Sequence, residues 1–430
     1  MTPGARIEAA IEVLTDVIDR HRPASEALKD WGRMHRFAGA GDRAAIGNLV
    51  FDALRRRNSL AARMQDDAPR ALALAAAAEL LQLDEDGLAR LIDVPHGPAP
   101  LSDAERKRLA ASDAPAHEPW VLGNYPEWLG PSLARVFGDR AAAEGAALSE
   151  RAPIDLRVNT LKATREKVLK ALARFAPEPT RLSPVGLRLA PPEGLGRSPN
   201  IERDAAHERG QFEVQDEGSQ LAALLVAARP GMQVADLCAG AGGKTLALAA
   251  AMENKGQIYA HDADASRLKP IFARMTRASA RNVQVIGAHE PERLDGLGGR
   301  LDRVVVDAPC TGTGAWRRHP DAKWRLKPQA LEQRLQDQRD VLDKAAALVK
   351  PGGRLIYITC SVLAEENGDQ VASFLERHSR FRVLPWAEVW AEAIGGDAPV
   401  SASADPHGLL LTPAVHRTDG FYIAVIEAGR

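Results

Sequence analysis

The chain has 430 residues, 45% hydrophobic and only 5% aromatic, with three cysteines and a formal charge of −1. That charge excludes a global field drawing the chain to nucleic acid or membrane, so any polyanion must be held by a local patch. The cysteine count excludes a disulfide framework and points to a reducing cytoplasm, and the length allows two or three domains.

The opening MTPGARIEAAIEVL has no apolar run long enough for a signal peptide or a spanning helix, so a soluble cytoplasmic protein without membrane contact is expected. Residues 1–112 read as helical. Apolar residues at Ile7, Ala10, Ile11, Leu14, Val17 and Ile18 form a 3.6-period stripe over 5–21, and similar stripes cover 43–62, 70–82, 84–93 and 103–111. The alanine-leucine run at 71–78 is short and reads as a buried helix. The first region shows no catalytic cluster, and a helical bundle that packs or binds is the plain reading.

A second module is expected over 118–228. It opens on Trp120 and Trp128 and changes texture at IDLRVNTLK (154–162), a strand candidate. A helix at 163–175, a strand near 186–190 and a strand-to-helix run over 211–227 follow. Nine Lys/Arg and three acidic residues lie between 151 and 188. Such a surplus reads equally as a solvated face or as a surface for phosphates.

From 229 to 430 strands and helices alternate. Strands are expected at 233–238, 257–262, 283–287, 303–307, 354–359 and 421–427, with helices at 243–253, 265–279, 328–349 and 365–377. This alternation predicts a doubly wound α/β sheet, which binds ligands at the carboxyl ends of its strands. Cys238, Cys310 and Cys360 all fall at such ends, so one crevice is expected to collect them.

The loop DLCAGAGGKT joins a strand to a helix, and Gly240, Gly242 and Gly243 let the backbone turn tightly against a ligand. It is not a phosphate-binding P-loop, which needs glycine where Cys238 stands. Asp262 ends the next strand, where a doubly wound fold places the carboxylate for a ribose. The pair leaves NAD and S-adenosylmethionine both open. No CxxC or histidine cluster flanks the thiols, so no metal is expected. Two thiols beside a nucleotide-type ligand suit attack on a pyrimidine. Thiolate addition at carbon 6 makes carbon 5 nucleophilic enough to accept a methyl group. Asp307, beside Cys310, is placed to hydrogen-bond the base edge.

The stretches DLCAGAGGKT, HDADASRL, DAPCTGTGAWRRHPD, YITCSVLAEEN and TDGFYIAVIE, in this order, resemble the RsmB/Nop/Sun family of RNA 5-cytosine methyltransferases, which use S-adenosylmethionine. The resemblance covers about 120–430. It implies a class I (Rossmann-like) methyltransferase sheet at 229–430, an α+β RNA-recognition extension at 118–228 and a NusB-like helical RNA-binding domain at 1–112. It implies Cys360 as nucleophile and Cys310 as the residue that aids product release, an order the residues alone leave open. Asp307 would sit where cofactor and base meet. Cys238, Ala239, Gly240, Ala241, Gly242, Gly243 and Lys244 would form the cofactor loop, with Asp262 on the ribose. Two departures stand out. Ala241 replaces a usual proline, and VIGAHEPE places Ala288 where the family has an acid near the adenine, with Glu290 as a substitute.

The stretch GAWRRHPDAKWRLK (314–327) interleaves cations with tryptophans, a pattern that suits phosphates and unpaired bases. Arg317, Arg318, Lys323 and Trp324, with Arg157 and Lys162 of the RVNTLK run, are therefore the expected RNA contacts. The expected partner is ribosomal RNA, with transfer RNA as the rival and an inactive assembly factor as a rival of another class. A monomer is expected.

Overall fold

The computed structural model describes residues 1–111 and 118–430. The expected end of the first domain at residue 112 lies outside the described residues. The chain divides into two compact units, and the division is not linear in sequence. One comprises Met1–Arg151, Pro191–Pro199 and Trp316–Leu326; the other comprises Ala152–Ala190, Asn200–Ala315 and Lys327–Arg430.

The first unit is helical. Thr2 caps the helix Pro3–Asp19 by accepting from the Ala5 N–H at 3.2 Å, and Pro3 supplies a φ already suited to a first turn. Its stripe of Ile7, Ala10, Val13, Leu14 and Val17 is buried. The helix Pro69–Leu81 is buried from Ala71 through Ala78, as its composition predicts. The expected 43–62 helix is two, Ala40–Arg55 and Arg57–Met64, and Ala24–Met34 is a further helix with only four buried residues. Residues 118–151 group with this unit by their contacts. The Asn58 amide donates to the Trp120 and Tyr125 carbonyls, and Asn124 Oδ1 accepts from the Ser59 N–H, so polar groups tie the segment to the helices. Among the described residues no helix is long and apolar enough to cross a membrane.

The second unit holds two sheets. Strands β1 (Ile154–Val158), β2 (Glu178–Pro179), β3 (Gly186–Leu189) and β4 (Phe212–Val214) form an antiparallel sheet of order β2-β3-β1-β4. The larger sheet contains β5 (Gln233–Asp236), β6 (Gln257–His261), β7 (Val283–Ile286), β8 (Leu301–Asp307) and β9 (Val349–Thr359). It also contains β10 (Phe381–Val383), β11 (Leu409–Leu411) and β12 (Phe421–Ala428). Its order is β10-β12-β9-β8-β5-β6-β7, with β11 against β12. Strands β5 to β9 run parallel, and β12 runs antiparallel to β9. This is the expected class I methyltransferase sheet. Val234, Val305, Ile356 and Ile358 are fully buried, as central strands covered on both faces require.

The strand order reverses between β5 and β8, and a doubly wound sheet opens its ligand crevice outside the carboxyl ends at that point. Cys238 follows β5, Cys310 follows β8 and Cys360 follows β9 directly. The three thiols therefore lie on adjoining strand ends, as expected.

Candidate active site

The glycine loop leaves β5 with the Leu237 N–H donating to the Val305 carbonyl and the Ala239 N–H to the His261 carbonyl. Gly240 and Gly242 adopt φ of +50° and +84°. A Cβ on Gly242 would stand 2.5 Å from the Ile271 side chain, so conformation and space both demand glycine there. The helix Gly243–Ala251 then begins with its first N–H groups lacking partners within the helix. The Ala241 carbonyl accepts from Arg274 at 2.9 Å, so the loop is braced at the position of the missing proline.

Three carboxylates serve this loop. Asp262 is buried and accepts from the Gly240 and Asp264 N–H groups, each at 2.9 Å. Asp236 accepts from Thr245 at 2.7 Å, while its Oδ1 is buried without a partner. Burial pushes its carboxyl up to about 7. Asp307 accepts from the Lys244 ammonium at 2.7 Å, and Lys244 also lies 5.3 Å over the Phe421 ring. A turn with only glycine and alanine over 239–243, an orphaned buried acceptor and a carboxylate closing on the loop backbone suit a ligand with hydroxyl and amino groups. The residues present therefore fit S-adenosylmethionine. Cys238 stays a neutral thiol, because burial and then the three carboxylates push its pKa up. Glu290 folds onto its own turn. It accepts from the Gly287 N–H at 3.1 Å and pairs with Arg293 at 2.9 Å.

The two other thiols meet. Cys310 Sγ lies 3.4 Å from Cys360 Sγ. The bond to Cys360 raises the Cys310 pKa most, and desolvation and the Cys360 charge add to it. Either sulfur can donate in this contact.

A buried carboxylate fixes the Cys310 loop. Glu366 accepts from the Thr311 N–H at 2.8 Å, the Thr311 hydroxyl at 2.5 Å and the Gln338 amide at 3.0 Å. Gln338 also donates to the Pro309 carbonyl, and the Gly314 N–H donates to the Cys360 carbonyl. These bonds lock the loops that carry the two sulfurs. Sequence reasoning assigned no role to Glu366 or Gln338. The acidic pair directly after the Cys360 turn was the available sign.

The expected RNA contacts need correction. Arg157 is buried at 4% exposure, because β1 is paired on both sides and turns this side chain inward. Its guanidinium donates to Gln215 at 2.6 Å, and burial holds its pKa down to about 10. Lys162 is half-buried and spends its ammonium on the Arg209 and Arg277 carbonyls. In the first unit Lys323 is fully buried, donating to the Arg55 carbonyl and the Ser149 hydroxyl, with Trp316 and Trp324 rings 5.6 and 5.1 Å away. Desolvation, then Arg55, holds its pKa far below the usual lysine range. Arg317 is buried, and Arg318 is half-buried. Trp324 donates to the Leu54 carbonyl and lines a cavity of about 450 Å³ with Arg57 and Trp120. Arg157 and Lys323 are therefore internal braces rather than a surface for phosphates, and Arg317 is buried with them from solvent.

A family profile described as 16S rRNA methyltransferase RsmB/F matches residues 223–427, and one for the ferredoxin-like domain of RsmF/B-like methyltransferases matches 125–194. The ribosomal RNA small subunit methyltransferase B of Pseudomonas syringae pv. tomato is 32% identical over 331 residues, covering 76% of this chain and 70% of that one. The chain belongs to the RsmB/F methyltransferase family. The protein of that name from Shewanella oneidensis is 34% identical, over 70% of this chain and 66% of its own length. The probable one from Synechocystis is 31% identical, over 71% and 67%. The chain thus spans about two thirds of the length of these relatives. Among solved structures, a methyltransferase homologue from Pyrococcus horikoshii is 27% identical with a TM-score of 0.60, over 72% of this chain and 97% of that one. The protein PH0851 is 27% identical with a TM-score of 0.74, over 99% of both chains.

Proposed function

We propose that this protein methylates carbon 5 of a cytosine in small-subunit ribosomal RNA, in the cytoplasm, through a cysteine–pyrimidine adduct. The observation that carries the reading is the 3.4 Å sulfur pair at the strand ends beside the glycine loop. The names of the family and of its relatives support the choice of RNA.

S-adenosylmethionine, held by the 238–244 loop and Asp262, supplies the electrophilic methyl group. Cys360 is taken as the nucleophile, as the family resemblance implies, with the Cys310 sulfur 3.4 Å from its own. The Cys360 thiol releases its proton to solvent as its sulfur bonds to carbon 6 of the cytosine, and the electron pair displaced from the 5,6 double bond lets carbon 5 take the methyl group, whose donor sulfonium would leave as a neutral thioether. Lys244 holds Asp307 through Oδ2, leaving Oδ1 to accept from the cytosine amino group. Once Cys360 is a thioether, the hydrogen bond with Cys360 that most raises the Cys310 pKa is gone. The Cys310 proton passes to solvent, and its thiolate removes the carbon 5 proton. The electrons of that C–H bond re-form the 5,6 double bond and expel the Cys360 sulfur. Carbon 5 is inaccessible inside a stacked duplex, so the base leaves the stack to react.

The test is nucleoside mass spectrometry after incubation with S-adenosylmethionine and, separately, unmodified small-subunit ribosomal RNA and transfer RNA. A rise in 5-methylcytidine in the ribosomal pool alone is expected; a rise confined to transfer RNA overturns the substrate, and another methylated base overturns the chemistry. Cys310→Ala should leave enzyme bound to RNA as a slow band that survives denaturant. A folded variant that gives no such band argues against Cys310 in release.

A further inference from the structure

Cations interleaved with aromatic side chains were expected at the surface over 314–327, where Trp316, Arg317 and Lys323 are instead buried. The same pattern occurs in the open at GRMHRF (32–37). Phe37 and Met34 are each 74% exposed, and Arg33 and Arg36 are exposed beside them. These four residues lie within five positions of one another at the end of the helix Ala24–Met34.

The cluster is built rather than loose. Trp31 is buried and anchored by its indole N–H, which donates to Glu12 at 2.7 Å. The His35 ring stacks on Trp31 with centroids 4.2 Å apart and planes 19° from parallel. His35 Nδ1 and the His35 backbone N–H both bond the Trp31 carbonyl at 2.9 Å. Phe37 then stands edge-on to His35 at 5.7 Å and 90°. The turn is closed by the Ala38 N–H on the His35 carbonyl and by Arg43 on the Ala38 carbonyl, each at 3.0 Å. A ladder of three rings thus runs from the core to solvent and ends on an open face.

Leaving so much apolar surface in water is unfavourable, and holding it rigid lowers the ordering cost of a partner that lands on it. The partner must be flat and apolar on its face and anionic at its edges, because the rim is arginine. Asp30 pairs with Arg33 at 3.2 Å, but an exposed pair of this kind is weak and yields to phosphate. We infer that Phe37 and Met34 receive an unpaired base of the RNA, with Arg33 and Arg36 on the flanking phosphates. This rests on the RNA methyltransferase reading and adds a contact to it, far in sequence from the thiols.

The test uses the full chain and fluorescence anisotropy with a fluorescein-labelled single-stranded RNA decamer and a duplex of equal length. Phe37→Ala should weaken single-strand binding about 5- to 150-fold and change duplex binding little. Phe37→Trp should retain it. Replacing Arg33 and Arg36 together by Gln should lower the salt dependence, log K against log salt, by about 1.4. An unchanged affinity in Phe37→Ala, with wild type binding and methylating RNA, overturns the platform alone. Wild type that neither binds nor methylates RNA overturns the proposed function and the platform together. A dimer that Phe37→Ala converts to monomer, at unchanged RNA affinity, makes the patch a self-association face and also overturns it.

Discussion

Lys244 and Lys323 are both buried lysines, at 7% and 0% exposure, yet they belong to regions of opposite kind. Lys244 opens the helix after the glycine loop, and its charge is matched by the Asp307 carboxylate. Lys323 lies in the 316–326 segment among carbonyl, hydroxyl and indole, with no acid on its ammonium among the described residues, and its pKa drops accordingly. A counter-charge lets a site keep an ion where chemistry happens. Dipoles and rings alone hold a cation as a brace.

That contrast predicts which changes affect turnover and which affect stability. The largest effect is on the thiols. Cys360→Ala should lower turnover by at least about 10³-fold with the melting temperature and cofactor affinity by calorimetry retained, and substantial residual methylation would remove Cys360 as nucleophile. Lys244→Met should follow, lowering cofactor affinity or rate about 10- to 100-fold by freeing Asp307 of a charged hydrogen bond. If rate and affinity both survive, the ion pair is structural and the two lysines are alike after all. Lys323→Met should instead cost about 1–3 kcal/mol of stability by leaving the Arg55 carbonyl and Ser149 hydroxyl unpaired, with turnover per folded molecule kept. The folded pKa of Lys323 lies below its unfolded value, so the unfolded chain binds more protons in between. Wild-type stability relative to Lys323→Met should therefore climb as pH rises toward about 10.

The smallest effect sharpens the comparison from the acid side. Asp236 is raised from an unfolded value near 3.9 to about 7, so its contribution is full below that lower value and is lost as pH climbs through 7. Denaturant melts of Asp236→Asn against wild type should favour the variant increasingly from pH 5 to 8. A gap that does not change with pH would mean Asp236 ionises normally.

The sheet and the cysteine positions were legible because parallel strands buried on both faces leave continuous apolar runs, and three of these runs, β5, β8 and β9, stop at a polar turn bearing a thiol. Short edge elements were not. β2, β10 and β11 have two or three residues each and no periodicity to read, and their pairing depends on strands far away in the chain. Asp262 at the end of β6 was legible from spacing, whereas Glu366 was not, because its partners Thr311 and Gln338 stand 55 and 28 residues off. The interior fate of Arg157, Arg317 and Lys323 was hidden for a related reason. Charge is read from sequence as exposure, but burial of a cation depends on carbonyls and rings that only folding assembles.

The non-linear division of the chain limits how it can be cut. Residues 191–199 and 316–326 are flanked on both sides by the second unit and fold with the first. A gene fragment beginning at Ala152 would still encode both inserts but none of the helices that shelter them. Trp316, Trp324 and the Lys323 ammonium would then face water on an eleven-residue excursion directly after the Cys310 loop. Such a fragment should be insoluble as cloned, and a usable catalytic half needs both excursions replaced by short polar linkers. The same connectivity sets a barrier to recombination, because exchanging the amino-terminal helices for another domain requires three coordinated replacements rather than one fusion joint.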